Sequence, residues 1–119
     1  MFIGEAEKLS GATQRAIRLY ESLGLLSVSR SGNYRVYNKA NIELIKIIKE
    51  AQTLGIHLSE MVALKGQQEE FDWRSVNDFL IQKYSMIEDQ IKQLEDQKAR
   101  IESYRVSINK CVKELDSNL

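Results

Sequence analysis

Proline is absent from this chain, and cysteine, histidine and tryptophan each occur once in 119 residues. Each scarcity excludes something. Without proline, no residue forbids a long uninterrupted helix. A single thiol, Cys111, cannot build an intramolecular disulfide framework, which points to a reducing, cytoplasmic location. One cysteine and one distant histidine, His57, make a poor transition-metal site, so neither a metal nor another cofactor is expected. No apolar run approaches the roughly 20 residues that span a bilayer, and the N-terminus has no signal-peptide apolar core. Neither a membrane partner nor export is therefore expected.

Net charge is the other quantity missing. Lys and Arg number 17 and so do Asp and Glu, which excludes a bulk polycation. The distribution, however, is uneven. Between Ser10 and Ala40 stand Arg15, Arg18, Arg30, Arg35 and Lys39 against the single acid Glu21, a local excess of four positive charges. From Met61 onward nine basic residues face eleven acidic ones. A localised basic patch is what phosphate contact requires, and the whole-chain balance is not the relevant number. The competing reading of this patch is an ordinary solvated face.

The basic stretch coincides with a pattern of short elements. Ile3 to Leu9 reads as a first helix with Ile3, Ala6 and Leu9 on one side. Ser10-Gly11-Ala12 makes a corner, and Thr13 is placed to cap a second helix with its hydroxyl. That helix carries Ala12, Ala16, Ile17 and Leu19 as its apolar side, with Gln14, Arg15, Arg18 and Glu21 at polar positions, and ends near Ser22 before Gly24. Two short helices around a glycine-containing turn, the second opening on polar and cationic side chains, suit a helix-turn-helix whose second helix enters a major groove.

Ser27 to Arg30 and Tyr34 to Tyr37 then read as a small hairpin, with Gly32 and Asn33 tolerating positive φ at its tip. Beside a helix-turn-helix, such a hairpin is a wing. Asn38 is placed to cap a third helix to Leu54, with Ile42, Leu44, Ile45, Ile47, Ile48, Ala51 and Leu54 apolar. A short helix from Leu58 to Leu64 precedes Gly66.

The rest of the chain has another period. After a linker at 67–73, Leu80, Ile87, Leu94, Ile101, Ile108 and Leu115 recur seven apart, with Tyr84, Ile91, Lys98, Arg105 and Val112 as the companion series. This predicts a coiled-coil helix of roughly 40 residues, about 60 Å long. One apolar stripe cannot bury itself, so the helix needs a partner. The expected interface residues are Leu80, Tyr84, Ile87, Ile91, Leu94, Ile101, Ile108 and Val112. Lys98 and Arg105, at inner positions, weaken a tight parallel zipper and influence register or strand direction. The domains read as a winged helix-turn-helix at 1–66, the linker at 67–73, a dimerisation helix at 74–115 and a tail at 116–119. The fold class is all-α with a small β wing.

In sequence, Ile3-Gly4-Glu5, Ser10-Gly11, Ile17-Arg18-Leu19-Tyr20-Glu21, Gly24-Leu25-Leu26, Tyr34-Arg35-Val36-Tyr37 and Leu54-Gly55-Ile56 before Leu58 and Glu60 resemble the MerR family of bacterial transcription regulators. The resemblance runs from residue 3 to about 65 and is to a small member without a separate effector-binding domain. It implies a homodimer whose long helices pair antiparallel. Such a dimer binds a pseudo-palindromic operator in double-stranded promoter DNA and distorts it, acting on RNA polymerase indirectly. Carried over residue by residue, it puts Thr13, Gln14 and Arg15 at the groove-facing start of the recognition helix. Arg18, Tyr20, Arg30, Tyr34 and Arg35 become backbone contacts. For Tyr20 and Tyr34 the alternative is a core aromatic with a solvated hydroxyl.

The chain departs from the family pattern at several positions. The usual proline before the wing is missing. The wing glycine is separated from Tyr34 by Asn33, which must then take the special backbone angle. Glu7 replaces a small residue, and His57 stands where a serine usually caps. Cys111, between Lys110 and Lys113, is a candidate redox or electrophile sensor, against the reading of a semi-buried residue without a signalling role. Two other classes stand beside an effector-controlled regulator. One is a metal-independent architectural or repressor DNA-binding protein with no small-molecule effector. The other is a coiled-coil adaptor whose N-terminal domain binds protein. No phosphate loop or paired catalytic carboxylates argue for an enzyme.

Overall fold

The computed structural model describes residues 1–117. It divides into two compact units, one spanning Met1–Trp73 and the other beginning at Arg74. The elements in order are α1 (Ile3–Ser10), α2 (Gln14–Ser22), β1 (Ser29–Ser31), β2 (Tyr34–Val36), α3 (Lys39–Thr53), α4 (Leu58–Lys65) and α5 (Trp73–Ser117). The fold is thus mostly helical, with a two-stranded antiparallel wing and a long C-terminal helix.

Local chemistry fixes the turn between α1 and α2. Gly11 takes φ 76° after α1, a left-handed angle that needs no Cβ, and its N–H donates to the Glu7 carbonyl. Three side-chain acceptors then satisfy amides that the helix cannot. Ser10 Oγ accepts from Ala12 N at 3.2 Å, Thr13 Oγ1 from Ala16 N at 3.1 Å, and Glu7 Oε2 from Gln14 N at 3.0 Å. The acid that replaces a small residue in α1 is therefore a second cap of α2. Asn38 and Asn41 cap α3 reciprocally at 2.8 and 3.0 Å, and Asn41 Nδ2 also donates to Ser27 O at 3.0 Å. At α4, Glu60 Oε1 accepts from His57 N at 3.1 Å.

The wing pairs Ser29 with Val36, Arg30 with Arg35 and Ser31 with Tyr34. At its tip Gly32 takes φ 61°, and among the described residues no residue other than glycine has positive φ. The expectation that Asn33 adopts the special angle is thereby corrected. A loop with positive φ only at its first central residue follows the type II′ pattern, which suits the strand twist and needs glycine only there. Met1 lies beside the exit of β2: Tyr37 N donates to Met1 O at 2.6 Å, and the Met1 ammonium donates to Tyr37 O at 2.9 Å.

The core of the first unit is a single cluster. Ile17 and Tyr20 come from α2, Leu25 and Leu26 from the segment after it, Tyr37 from the end of the wing, and Ile42, Ile45 and Ile48 from α3, with Ala6, Ala12 and Met61 completing it. The buried isoleucines of α3 are spaced by threes, so Ile47 falls on its outer side and is exposed; Leu54, just past the end of the helix, is also exposed. Leu9 and Leu19 are exposed as well. On α2 the residue three beyond Ile17 is Tyr20, and it takes the inner place expected of Leu19.

Helix α5 is 45 residues long, about 67 Å, and contains no buried residue. Its apolar series is exposed along its whole length, as are Ile81, Met86, Tyr104 and Val106 outside that series. Lys83 lies over the Phe79 ring, its Nζ 5.4 Å from the centroid. Arg105 pairs with Glu102 within the helix at 2.7 Å, and this hydrogen bond holds the Glu102 carboxyl below its ordinary range. The helix continues through Asp116 and Ser117; the remainder of the tail expected at 116–119 lies outside the described residues. Among those residues, no helix is long and apolar enough to cross a membrane.

Candidate nucleic-acid interface

The outward side of α2 and the second wing strand share one surface. A shallow groove is lined by Thr13, Arg15, Ala16, Arg18, Leu19, Ser22 and Arg35. Three arginines, Arg15, Arg18 and Arg35, therefore line one concavity although Arg35 lies on β2. Thr13, Arg15 and Arg18 are exposed, and Gln14 is half-buried at the start of the helix. Two amides of this first turn, Gln14 N and Ala16 N, are taken by Glu7 and Thr13.

In the wing, Arg30 and Arg35 face one another across the ladder. Like charges directly opposite are unfavourable in a sheet. Here Glu21 on α2 stands between them, with Oε2 accepting from Arg35 Nε at 2.5 Å and Oε1 lying 3.5 Å from Arg30 Nη2. Tyr34 is 70% exposed, its ring 5.9 Å from that of Phe2 at an interplanar angle of 58°. It lies on the surface.

Tyr20 does not. It is 2% exposed, and its hydroxyl donates to Gln52 Oε1 on α3 at 2.6 Å. Burial raises its phenol pKa. The assignment of Tyr20 to a phosphate contact is corrected: the side chain bolts α2 to α3. The other aromatic of the wing, Tyr37, is 1% exposed and its hydroxyl has no hydrogen-bond partner.

Several residues that hold the reading helix were not marked in the sequence. Lys49 Nζ donates to Gly11 O at 2.6 Å, just before α2. Lys65 Nζ, on a side chain that is itself buried, donates to Gly24 O just after it. With the Tyr20–Gln52 bond, α3 and α4 hold α2 through its last turn and through the segments on either side of it. These partners are 38, 41 and 32 residues apart, so no local pattern could have announced them. Glu7 and Glu21 had a signal, since each is an acid amid a basic or small-residue context, but charge alone does not give a partner.

On α5, the residues expected at an interface are exposed and line one stripe, and Cys111 is exposed near its C-terminal end. A shallow apolar concavity there is bordered by Ile101, Tyr104, Arg105, Ile108, Asn109 and Val112. Among the described residues no group of three or more His, Cys, Asp or Glu side chains could hold a metal ion.

Comparison with known proteins agrees with this geometry. The model of MerR HTH family regulatory proteins matches residues 1–64. The HTH-type transcriptional regulator HmrR of Sinorhizobium medicae (strain WSM419) is 36% identical over 66 residues, 54% of this chain and 45% of that protein. The chain thus spans about half the length of that relative. The mercuric resistance operon regulatory protein of Bacillus cereus is 36% identical over 104 residues, covering 84% of this chain and 76% of that protein. The crystal structure of the transcription regulator PbrR691 from Ralstonia metallidurans CH34, in complex with lead(II), shares the fold. Its TM-score is 0.62 at 22% identity, over 88% of this chain and 85% of that one. With more than half of its residues matched by the family model and a relative aligned along most of both chains, this protein belongs to the MerR helix-turn-helix family of regulatory proteins.

Proposed function

We propose that the protein is a transcription regulator that binds double-stranded promoter DNA as a homodimer. The observation that carries this reading is the meeting of Arg15, Arg18 and Arg35 around one groove between the second helix and the wing. Thr13, Gln14 and Arg15 face base edges in the major groove, while Arg18, Arg30, Tyr34 and Arg35 hold the sugar-phosphate backbone. The stripe of α5 pairs with that of a second copy, antiparallel as the family resemblance implies, and sets the spacing of two half-sites. Part of the specificity then lies in the energy needed to bend and untwist the operator between them, which realigns the promoter for RNA polymerase.

Footprinting the chain on its own upstream region, followed by titration over a range of salt, tests the reading. A protected, two-fold symmetric site whose affinity falls steeply with salt is expected; salt-insensitive or absent duplex binding overturns it in favour of a protein-binding adaptor. The same footprint read with oxidants and aldehydes, for the unmodified chain and for Cys111→Ser, decides between two forms of the regulator. A response that the substitution abolishes makes Cys111 a sensor. A response common to both, or none, leaves a DNA-binding protein whose thiol has no signalling role.

A further inference from the structure

Glu21 is the single acid among five cations between Ser10 and Ala40, and counting charge makes it a subtraction from the basic patch. Its place in the fold gives it another role. The carboxylate leaves the last turn of α2 and meets both strands of the wing, Arg35 Nε at 2.5 Å and Arg30 Nη2 at 3.5 Å. It is 19% exposed, while the Arg35 side chain is 33% and the Arg30 side chain 50% exposed. The acid therefore lies inward and the guanidinium groups outward. The hairpin it meets has strands of only three residues each, and a two-stranded ribbon of that size does not hold its shape alone. Its middle pair places two arginines opposite each other, which would splay the strands without an anion between them.

The geometry also leaves the arginines free to act. A guanidinium carries five N–H donors in a rigid planar fork. Arg35 gives its Nε edge to Glu21, and its terminal nitrogens remain for a phosphate. An arginine whose plane is already fixed loses less freedom on contact than a free one.

We propose that Glu21 is a positioning residue for DNA binding: it sets the angle of the wing against the recognition helix and aims Arg35 and Arg30 at the phosphate backbone. The proposal rests on the DNA-binding reading above. It differs from simple neutralisation in sign. An acid that only cancels charge weakens binding to every duplex, so its removal strengthens binding. An acid that aims two cations strengthens binding, and its removal weakens it while the number of phosphate contacts stays the same.

The test uses the full chain and the tightest duplex that the unmodified protein selects from a random-sequence pool, with a scrambled duplex of the same length beside it. Glu21→Gln is expected to lose about tenfold in affinity for the selected duplex, as the loss of oriented charge-assisted contacts implies. Its salt slope should match that of the unmodified chain. Arg35→Ala loses affinity too, but its slope falls by about one, the mark of a deleted phosphate contact. In a background carrying both Arg35→Ala and Arg30→Ala, adding Glu21→Gln should cost less than about twofold, because the two groups it aims are gone. Affinity that is unchanged or increased in Glu21→Gln overturns the proposal. An equal loss in both backgrounds also overturns it, since that marks general weakening of the fold. Should Glu21→Gln fail to fold, Arg35→Lys replaces it: a loss at unchanged slope supports aiming, and full affinity with an unoriented ammonium overturns it. Failure of the unmodified chain to bind any duplex brings down the underlying reading instead, and is seen before any variant is made.

Discussion

The core of Met1–Trp73 and the stripe of α5 are built from the same side chains and treat them oppositely. In the first unit Ile17, Ile45 and Ile48 are at most 2% exposed; on α5 Ile87, Ile91 and Ile101 are 49%, 48% and 68% exposed. The first unit closes its core within its own chain, since four helices and a wing supply every surface of it. The second is a single 45-residue helix that has no second layer of its own. A helix owes most of its stability in a protein to packing of its apolar face, and exposed apolar area of this extent marks a surface made to be covered. The first unit buries the apolar faces of α2 and α3 within its own chain, whereas the apolar stripe of α5 is left exposed.

Breaking α5 should therefore have the larger effect on function and none on the core. Leu94→Asp combined with Ile101→Asp places charge in the middle of the stripe. Sedimentation equilibrium is expected to show single subunits. Affinity for a two-fold symmetric duplex should drop by about a hundredfold or more, because the second half-site contact is no longer intramolecular. Amide exchange at Ile17 and Ile48 should be unchanged. An unaltered sedimentation mass would place the dimer contact elsewhere.

Breaking the core should do the reverse. Ile45 is fully buried, and Ile45→Ala leaves a cavity in the cluster to which Ile17, Tyr20 and Ile48 also belong. A loss of about 2–5 kcal/mol is expected, read as faster exchange of the α2 and α3 core amides. The self-association of α5 should persist at concentrations where the first unit is partly open. If the two respond together, the units are one cooperative body and the comparison fails.

What could be read from the sequence follows the range of the signal. The Thr13 cap, the stop at Gly24, the hairpin around Gly32 and the seven-residue repeat all depend on neighbours within a few positions, and the structure has each of them. Tyr20 went astray because adjacent positions on a helix differ by about 100°, and an apolar pattern prefers leucine inside to tyrosine. Inside, the Tyr20 hydroxyl hydrogen is accepted by Gln52, 32 residues later. Lys65 holding Gly24 and Glu21 joining two strands are of the same kind: the residues are plain in the sequence and their partners are not. The repeat of α5 shows the same limit from the other side. Its period is visible in the sequence, and no residue of the helix is buried.

The smallest expected effect concerns the one flaw in the closed core. The Tyr37 hydroxyl is buried without a partner, and leaving such a group unsatisfied costs more than replacing it by hydrogen. Tyr37→Phe should therefore stabilise the first unit by about 1 kcal/mol, opposite in sign to the Ile45 change. The same group gives a pH signature. Burial is the main cause that raises its phenol pKa above 10.0; Glu21 adds to this, while Arg35, Arg18 and Arg30 oppose it. The phenol thus ionises more readily in the unfolded chain than in the fold. Ionisation of this group therefore takes nothing from stability below pH 10 and lowers it as pH rises above that value. Tyr20, raised by burial alone, acts in the same direction. Urea denaturation at neutral and strongly alkaline pH should accordingly show a smaller alkaline loss in Tyr37→Phe than in the unmodified chain. The residual loss belongs to Tyr20, whose hydroxyl must also give up Gln52 when it ionises. Identical alkaline losses in the two proteins would mean that the Tyr37 hydroxyl reaches solvent or a partner, and that the first unit is less tightly closed than its contrast with α5 requires.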